Sequence, residues 1–393
     1  MKDLALALRE QFGRETEITP LIAEDRMGRR IHGVDLTKEL SATQAELMVS
    51  LLDQFKIITF PGQNQTSFRV GDLERLANHF GAPIPHPKNY ANYIEFKKKR
   101  VPLRLLPRDE QTASRCDQAF PEAIQCRPGA DSPAVYVVTN LVGSGAHREE
   151  ETVGGLHWHT DIEFEPIPLS TSMFYVQSVP STRNGVDGTW VNDQPREEGF
   201  YHPESSAELM ARRNKLPLNG ETAYADTAAA FADLDAAKQA ELETVLVRRR
   251  LRVGDEGWLI PLVYQNPRTG EKSLHSPIWA SRGKNIAPVE VDGLSADESR
   301  AYLDELEAHI LQPKYRYDHQ HTPGDVTLWS NFSTVHNAPP AKAIINDPND
   351  ARLMYRISCK GEPCYSLPRT DSDEWIDRNI SPPYRSPEAL IKP

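Results

Sequence analysis

Leu156-His157-Trp158-His159-Thr160-Asp161 places two histidines and a carboxylate within six residues. In an extended strand, residues two apart point to the same face. His159 and Asp161 therefore present an imidazole and a carboxylate to one side, and His157 shares that register. A metal ion held there needs a third ligand from elsewhere in the chain. His336 is the leading candidate, because it follows the strand-like run Asp325–Asn331 and precedes the pair Pro339-Pro340. Two histidines and one carboxylate, with open positions opposite, form the facial triad of non-haem Fe(II) oxygenases. That chemistry needs the open positions, since a chelating 2-oxoacid and then dioxygen must enter. On spacing alone the triplet reads equally well as a hydrogen-bonded His–Asp pair, and His157 stays a rival to His159. His319 and His321, beside Asp318, form another same-face pair that reads as structural.

Outward from this segment the chain is rich in short strand-like runs: Thr171–Val179, Gly188–Asn192, Trp258–Asn266, Asp325–Asn331 and Arg352–Gly361. Helical stretches interrupt them at about 204–214, 226–247 and 295–311, the last opening on the capping box Ser295-Ala296-Asp297-Glu298. Strands at this density with inserted helices predict a mainly β fold with flanking helices (α+β), a sandwich or jelly roll. Upstream, residues 1–15 read as an amphipathic helix, and Ile18–Thr37 contains short β-like runs. Ser41-Ala42-Thr43-Gln44 caps a helix with apolar positions Leu47, Leu51, Leu52 and Phe55. Lys56–Gly62 reads as a buried strand, and a second helix over Phe68–Phe80 stops at Gly81. Residues from about 88 to 150 are charged and proline-rich. Their one clear strand is Ala134–Val142, and the rest reads as a long functional loop or a disordered excursion.

Composition bounds the function. With 39% hydrophobic and 26% charged residues, the 393-residue chain has material for a sizeable core. Length alone would suggest two or three domains of roughly 150 residues each, but large β-barrels exceed that as single units. Residues 1–393 are read as one domain. No apolar run approaches the roughly 20 residues of a membrane span, and no cleavage pattern follows the first helix, so a cytoplasmic protein is expected. A net charge of −11 is a poor match to nucleic acid. The basic runs Lys97–Arg100 and Arg248–Arg250 with Arg252 read as solvated surface. Cys116, Cys126, Cys359 and Cys364 show no C-x-x-C spacing and are expected as free thiols.

The ordered motifs ITPLIAEDRMGRRIHGVDLT (18–37), ITFPGQ (58–63), NHFGAPIPHP (78–87), WHTD (158–161), PSTRNGVDGTW (180–190), PGDVTLWSNFSTVH (323–336) and Arg352-x-x-x-Arg356 span most of the chain. In this order they resemble the taurine dioxygenase and 2,4-dichlorophenoxyacetate dioxygenase (TauD/TfdA) family of Fe(II)/2-oxoglutarate oxygenases. The resemblance implies a double-stranded β-helix core (jelly roll, cupin-like). It selects His159 over His157 and implies that His159, Asp161 and His336 bind iron. It implies that Arg352 pairs with the distal carboxylate of 2-oxoglutarate, with Thr189 adding a hydroxyl. It further implies that Arg356 and His86 face an anionic substrate. Three departures stand out. Ser330-Asn331-Phe332 occupies the place of a frequent Asp-Asn-Arg, and Gly155 stands where taurine dioxygenase has a substrate-contacting asparagine. PSTRNGVDGTW also carries three extra residues.

The implied reaction consumes O2 and 2-oxoglutarate, releases succinate and CO2, and hydroxylates or otherwise oxidises an aliphatic C–H of a small anionic molecule. The carboxylate of Asp161 argues against halogenation. Residues 88–150 would form a lid, with Tyr90, Tyr93, Phe96 and Phe120 as candidate lining, and family members are often dimers or tetramers. The competing readings are a non-catalytic metal and 2-oxoacid-binding protein on the same fold, and a zinc hydrolase using the same three ligands.

Overall fold

The computed structural model describes residues 2–22, 27–84, 118–119, 134–141, 152–153, 158–163, 169–180, 205–216, 221–250, 254–278, 287–338, 341–342, 349 and 351–367. An eight-stranded sheet runs in the order Glu17–Pro20, Arg29–His32, Ile57–Phe60, Val326–Ser330, Thr171–Ser178, Leu353–Lys360 and Ala82–Ile84, with Tyr136–Thr139 also on Leu353–Lys360. Its pairings are antiparallel except that between Arg29–His32 and Ile57–Phe60. A three-stranded antiparallel sheet holds Arg316–His319, Thr222–Asp226 and Thr334–Asn337.

Non-consecutive strands lie side by side in both sheets, as jelly-roll connectivity requires. Phe174, Val176, Trp329, Met354 and Ile57 from the large sheet pack with Tyr224 from the small one. This apolar wall lies between the sheets and backs the site described below. On its outer face the large sheet is covered by the helices Ala42–Phe55 and Val70–Phe80, whose Met48, Leu51, Leu52, Leu73 and Leu76 join strand residues in one core. A jelly-roll core with helices on one face is the expected architecture.

Local signals account for most boundaries. The Ser41 and Ser295 capping boxes both form, and open helices Ala42–Phe55 and Ala296–Ile310. Lys56 closes the first of these in a left-handed conformation (φ 66°), and its ammonium pairs with Asp226 and Glu271 at 2.9 and 3.1 Å.

Some expectations are corrected. The stretch 226–247 is two short helices, Thr227–Ala232 and Ala236–Leu242, followed by the strand Leu246–Arg249. Asp226 and Asp235 each accept backbone N–H bonds as N-caps, so the second aspartate starts a new helix instead of continuing the first. Trp258–Asn266 is split at Leu262 into Trp258–Pro261, paired with Leu246–Arg249, and Val263–Gln265, paired with Lys272–Leu274. The Arg248–Arg250 run is not all solvated. Arg249 is 1% exposed and donates to the carbonyls of His275 and Ser276 at 2.6 and 2.7 Å. Within 88–150 the described residues include the strand Tyr136–Thr139, and Cys116, Cys126 and the candidate lid aromatics lie outside them. Cys359 and Cys364 form no disulfide among the described residues. No described helix is long and apolar enough to cross a membrane.

Candidate metal centre

His159 and His336 are joined through their backbones. The His159 N–H donates to the His336 carbonyl at 3.0 Å, and the His336 N–H donates back at 2.8 Å. This is a single bridge, so the expected strand through Asp161 is corrected to one bridged residue followed by a turn over Asp161–Glu163. Ile162 sits at φ 51° in that turn, a region costly for a β-branched residue. The turn still brings the carboxylate to the histidines. Asp161 Oδ1 lies 4.0 Å from His159 Nε2 and 3.7 Å from His336 Nε2, and the two rings are 4.3 Å apart. Ligand atoms of all three fall within 4.8 Å of one another, and all three side chains are buried. Two ligands on one ion, bonded at about 2.1 Å, can be at most about 4.2 Å apart. Both His–Asp separations meet that limit, and an imidazole–imidazole–carboxylate donor set fits Fe(II). His157 lies outside the described residues.

Asp161 is held from behind. Ser172 Oγ donates to Asp161 Oδ2 at 2.8 Å. Asn331 Nδ2 donates to Ser172 Oγ at 2.9 Å, and Ser358 Oγ lies 2.9 Å from the same oxygen. A hydroxyl has one proton and two lone pairs, so this network fills Ser172 completely when Ser358 is a donor. Asn331 also accepts from the Asp161 N–H at 3.5 Å. The departure Ser330-Asn331-Phe332 thus retains an amide that orients the carboxylate. Sequence reasoning missed Ser172, Ser358 and this use of Asn331, because their strands meet only in the sheet.

Arg356 lies in the strand Leu353–Lys360 beside Ser172, and Arg352 directly precedes that strand. Arg352 is 4% exposed, its N–H donates to Asn140 Oδ1 at 2.7 Å, and its Nε lies 3.1 Å from Met354 Sδ. Arg356 donates from Nη1 to Asp161 Oδ1 at 2.9 Å and lies over the Tyr136 ring at 5.6 Å. The register slips between Leu353 and Met354, so counting four residues does not by itself put both arginines on one face. His86 and Thr189 lie outside the described residues.

Tyr224 stands opposite His336 in strand register, its ring 6.1 Å from that of His336 and 5.8 Å from Trp329. Burial pushes its phenol pKa well above the ordinary value. Tyr317 and Asp161 push the same way, and Thr222 and Arg352 oppose them. Both Asp161 and Arg352 thus act on one buried phenol. Thr222 is two residues back on the same strand, and its Oγ lies 2.8 Å from His321 Nε2. His319 sits between Tyr317 and Thr327 at 2.7 and 3.1 Å, so this histidine pair is structural, as expected.

A second buried group follows Asp161. Ser276 Oγ donates to Glu163 Oε2 at 2.6 Å, and Arg249 Nη1 lies 3.5 Å from the same oxygen.

Residues 98–358 match the family model "Taurine catabolism dioxygenase TauD, TfdA family". The chain belongs to this family. Its reaction class, a dioxygenase dependent on Fe(II), 2-oxoglutarate and O2, is that of the family. The chain is 30% identical over 353 residues to pentalenolactone F synthase of Streptomyces avermitilis, covering 88% of this chain and 94% of that one. It is 26% identical over 326 residues to the (S)-phenoxypropionate/alpha-ketoglutarate-dioxygenase of Sphingobium herbicidovorans, covering 74% and 96%. A taurine dioxygenase from Burkholderia xenovorans shares the fold with a TM-score of 0.53, at 19% identity, over 88% of this chain and 90% of that one.

Proposed function

We propose that this TauD/TfdA-family dioxygenase oxidises an aliphatic C–H bond of a small anionic organic molecule, with Fe(II) on His159, Asp161 and His336. The observation that carries this is the convergence of the two buried histidines on Asp161 Oδ1, with Arg356 beside them and Arg352 directly before the strand that carries Arg356. When bound, Fe(II) and 2-oxoglutarate supply the activation of O2, with succinate and CO2 released.

The protein's own groups bind and orient. Arg352 presents a buried guanidinium fork to the distal carboxylate of 2-oxoglutarate, a pairing strengthened where water is excluded. Thr189 is assigned the second contact to the co-substrate. Arg356 and His86 are assigned to the substrate anion. The relative from Sphingobium herbicidovorans, named for phenoxypropionate, supports a carboxylate in that role. Residues 1–393 form one domain in this reading, with 88–150 as a lid. The protein is further read as a cytoplasmic homo-oligomer, dimer or tetramer, that binds neither nucleic acid nor membrane.

The test is spectroscopic and chemical. Anaerobic Fe(II) and 2-oxoglutarate should give a weak visible charge-transfer band that disappears in a His159→Ala, His336→Ala double variant. A screen of aryloxyacids, sulfonates and sulfate esters for succinate release should then find at least one coupled substrate. A band that survives in the double variant overturns the ligand assignment.

A further inference from the structure

Asp161 is gripped at both carboxylate oxygens from the large sheet. Ser172 Oγ donates to Oδ2 at 2.8 Å, and Arg356 Nη1 donates to Oδ1 at 2.9 Å. In the strand pairing Ser358 stands opposite Ser172 and Arg356 opposite Phe174, and residues two apart share a face. On its other side Arg356 pairs with Tyr136, over whose ring its guanidinium lies at 5.6 Å. The Asp161 side chain is fully buried, and that of Arg356 is 14% exposed. The arginine therefore meets the carboxylate from a strand paired on both sides.

Oδ1 is also the oxygen nearest the histidines, 3.7 Å from His336 Nε2 and 4.0 Å from His159 Nε2. A metal ion on these three ligands takes this oxygen at about 2.1 Å. The donating Arg356 nitrogen then lies at most about 5 Å from the ion. Two cations that close in a buried site repel, and salt screens them little. The guanidinium also compensates the buried Asp161 charge, which makes that carboxylate a weaker donor to a metal. Both effects have the same sign.

We infer that Arg356 lowers the metal affinity of the centre, as a fixed like charge on the ligand oxygen Asp161 Oδ1. This rests on the ligand assignment proposed above, and it adds to the substrate contact assigned to Arg356. An anion that pairs with the guanidinium offsets the repulsion, so substrate anion and metal strengthen each other's binding. A neutral side chain at position 356 reproduces that offset permanently.

The experiment is anaerobic titration of the metal-depleted full chain with Mn(II), for wild type, Arg356→Gln and Arg356→Lys. A thermal melt of each is taken with and without Mn(II). Arg356→Gln should bind Mn(II) about tenfold more tightly than wild type, and Mn(II) should raise its melting temperature by more. Arg356→Lys keeps the charge and should stay within about threefold of wild type. Arg356→Met, also neutral, provides the same test should the glutamine variant fail to melt cooperatively. A purely structural arginine gives the opposite sign, since a loosened Asp161 weakens the site. Unchanged or weaker Mn(II) binding in the neutral variants overturns the inference. So does a lysine variant that binds as tightly as they do. Wild-type protein that takes up no Mn(II) overturns the ligand assignment and this inference together. Equal affinities in wild type and the neutral variants overturn this inference alone.

Discussion

Ser172 donates to Asp161 Oδ2 at 2.8 Å, on the oxygen opposite the one that approaches both histidines. One carboxylate oxygen is thereby fixed to the sheet while the other is directed at the metal position. Support of this kind behind a ligand typically contributes 10–100-fold in metal affinity. Ser172→Ala should raise the Kd for Mn(II) by about that factor, read by titration under anaerobic conditions. The variant also removes the Ser172 partner of Asn331 Nδ2 and of Ser358 Oγ, so a thermal melt beside the titration checks that the fold holds. An unchanged Kd would mean that the turn alone positions Asp161.

Arg352 is 4% exposed, and its backbone N–H donates to Asn140 Oδ1 at 2.7 Å. On the proposed assignment of Arg352 to the distal carboxylate of 2-oxoglutarate, Arg352→Ala removes a bidentate, charge-assisted contact in a desolvated site. The Kd for 2-oxoglutarate should rise by roughly 100-fold while Mn(II) affinity changes little. Arg352→Lys should recover only part of the loss, because an ammonium cannot supply the planar fork. Calorimetry with Mn(II)-loaded protein reads both values. A lysine variant that binds as tightly as wild type would count against the fork geometry.

Much of this site was legible along the chain, and the remainder was not, for physical reasons. WHTD and the distal His336 stood out through the ordered family motifs, since ligand chemistry alone left a hydrogen-bonded His–Asp pair equally open. The Ser41 and Ser295 helix starts could be found because capping is a local interaction over three residues. Ser172, Ser358 and Asn331 could not, since what makes them important is cross-strand register between segments up to 186 residues apart. Arg249 illustrates the opposite failure. Within Arg248-Arg249-Arg250 it looks like surface charge, yet strand alternation turns the middle residue inward while Arg250 pairs with Glu290 at the edge. A run of like charges hides that alternation. Tyr224 was overlooked because one aromatic in a strand carries no signal of what it faces.

The Glu163–Arg249 pair is nearly fully buried, with Glu163 two residues beyond Asp161. Burial disfavours the Arg249 charge and lowers its pKa, and Glu163 opposes that shift. Removing one partner leaves the other charge buried without compensation, which typically costs about 3–5 kcal/mol. Glu163→Ala should therefore lower stability by about that amount in urea unfolding. A Glu163→Ala, Arg249→Met double variant should recover a substantial part. Additive losses in the double variant would show that the two side chains do not act as a pair.

His275 couples this region to pH. Its imidazole is enclosed by Phe332 and Tyr264, with ring centroids at 5.8 and 6.5 Å. Burial, then the charge of Arg249, pushes its pKa down from 6.5 to about 3. The folded protein thus resists protonation that the unfolded chain accepts freely below pH 6.5. The unfolded state binds more protons across the window from 6.5 down to about 3. Stability is accordingly unaffected by this group above pH 6.5 and falls as pH drops through that window, by up to about 1.4 kcal/mol per pH unit. His275→Leu removes the titration and fits the aromatic surroundings. Denaturation midpoints measured from pH 7.5 to 4.5 should fall more steeply for wild type than for the variant, by the equivalent of one proton. Parallel profiles would show that His275 is protonated in the native state, and so not buried as neutral imidazole.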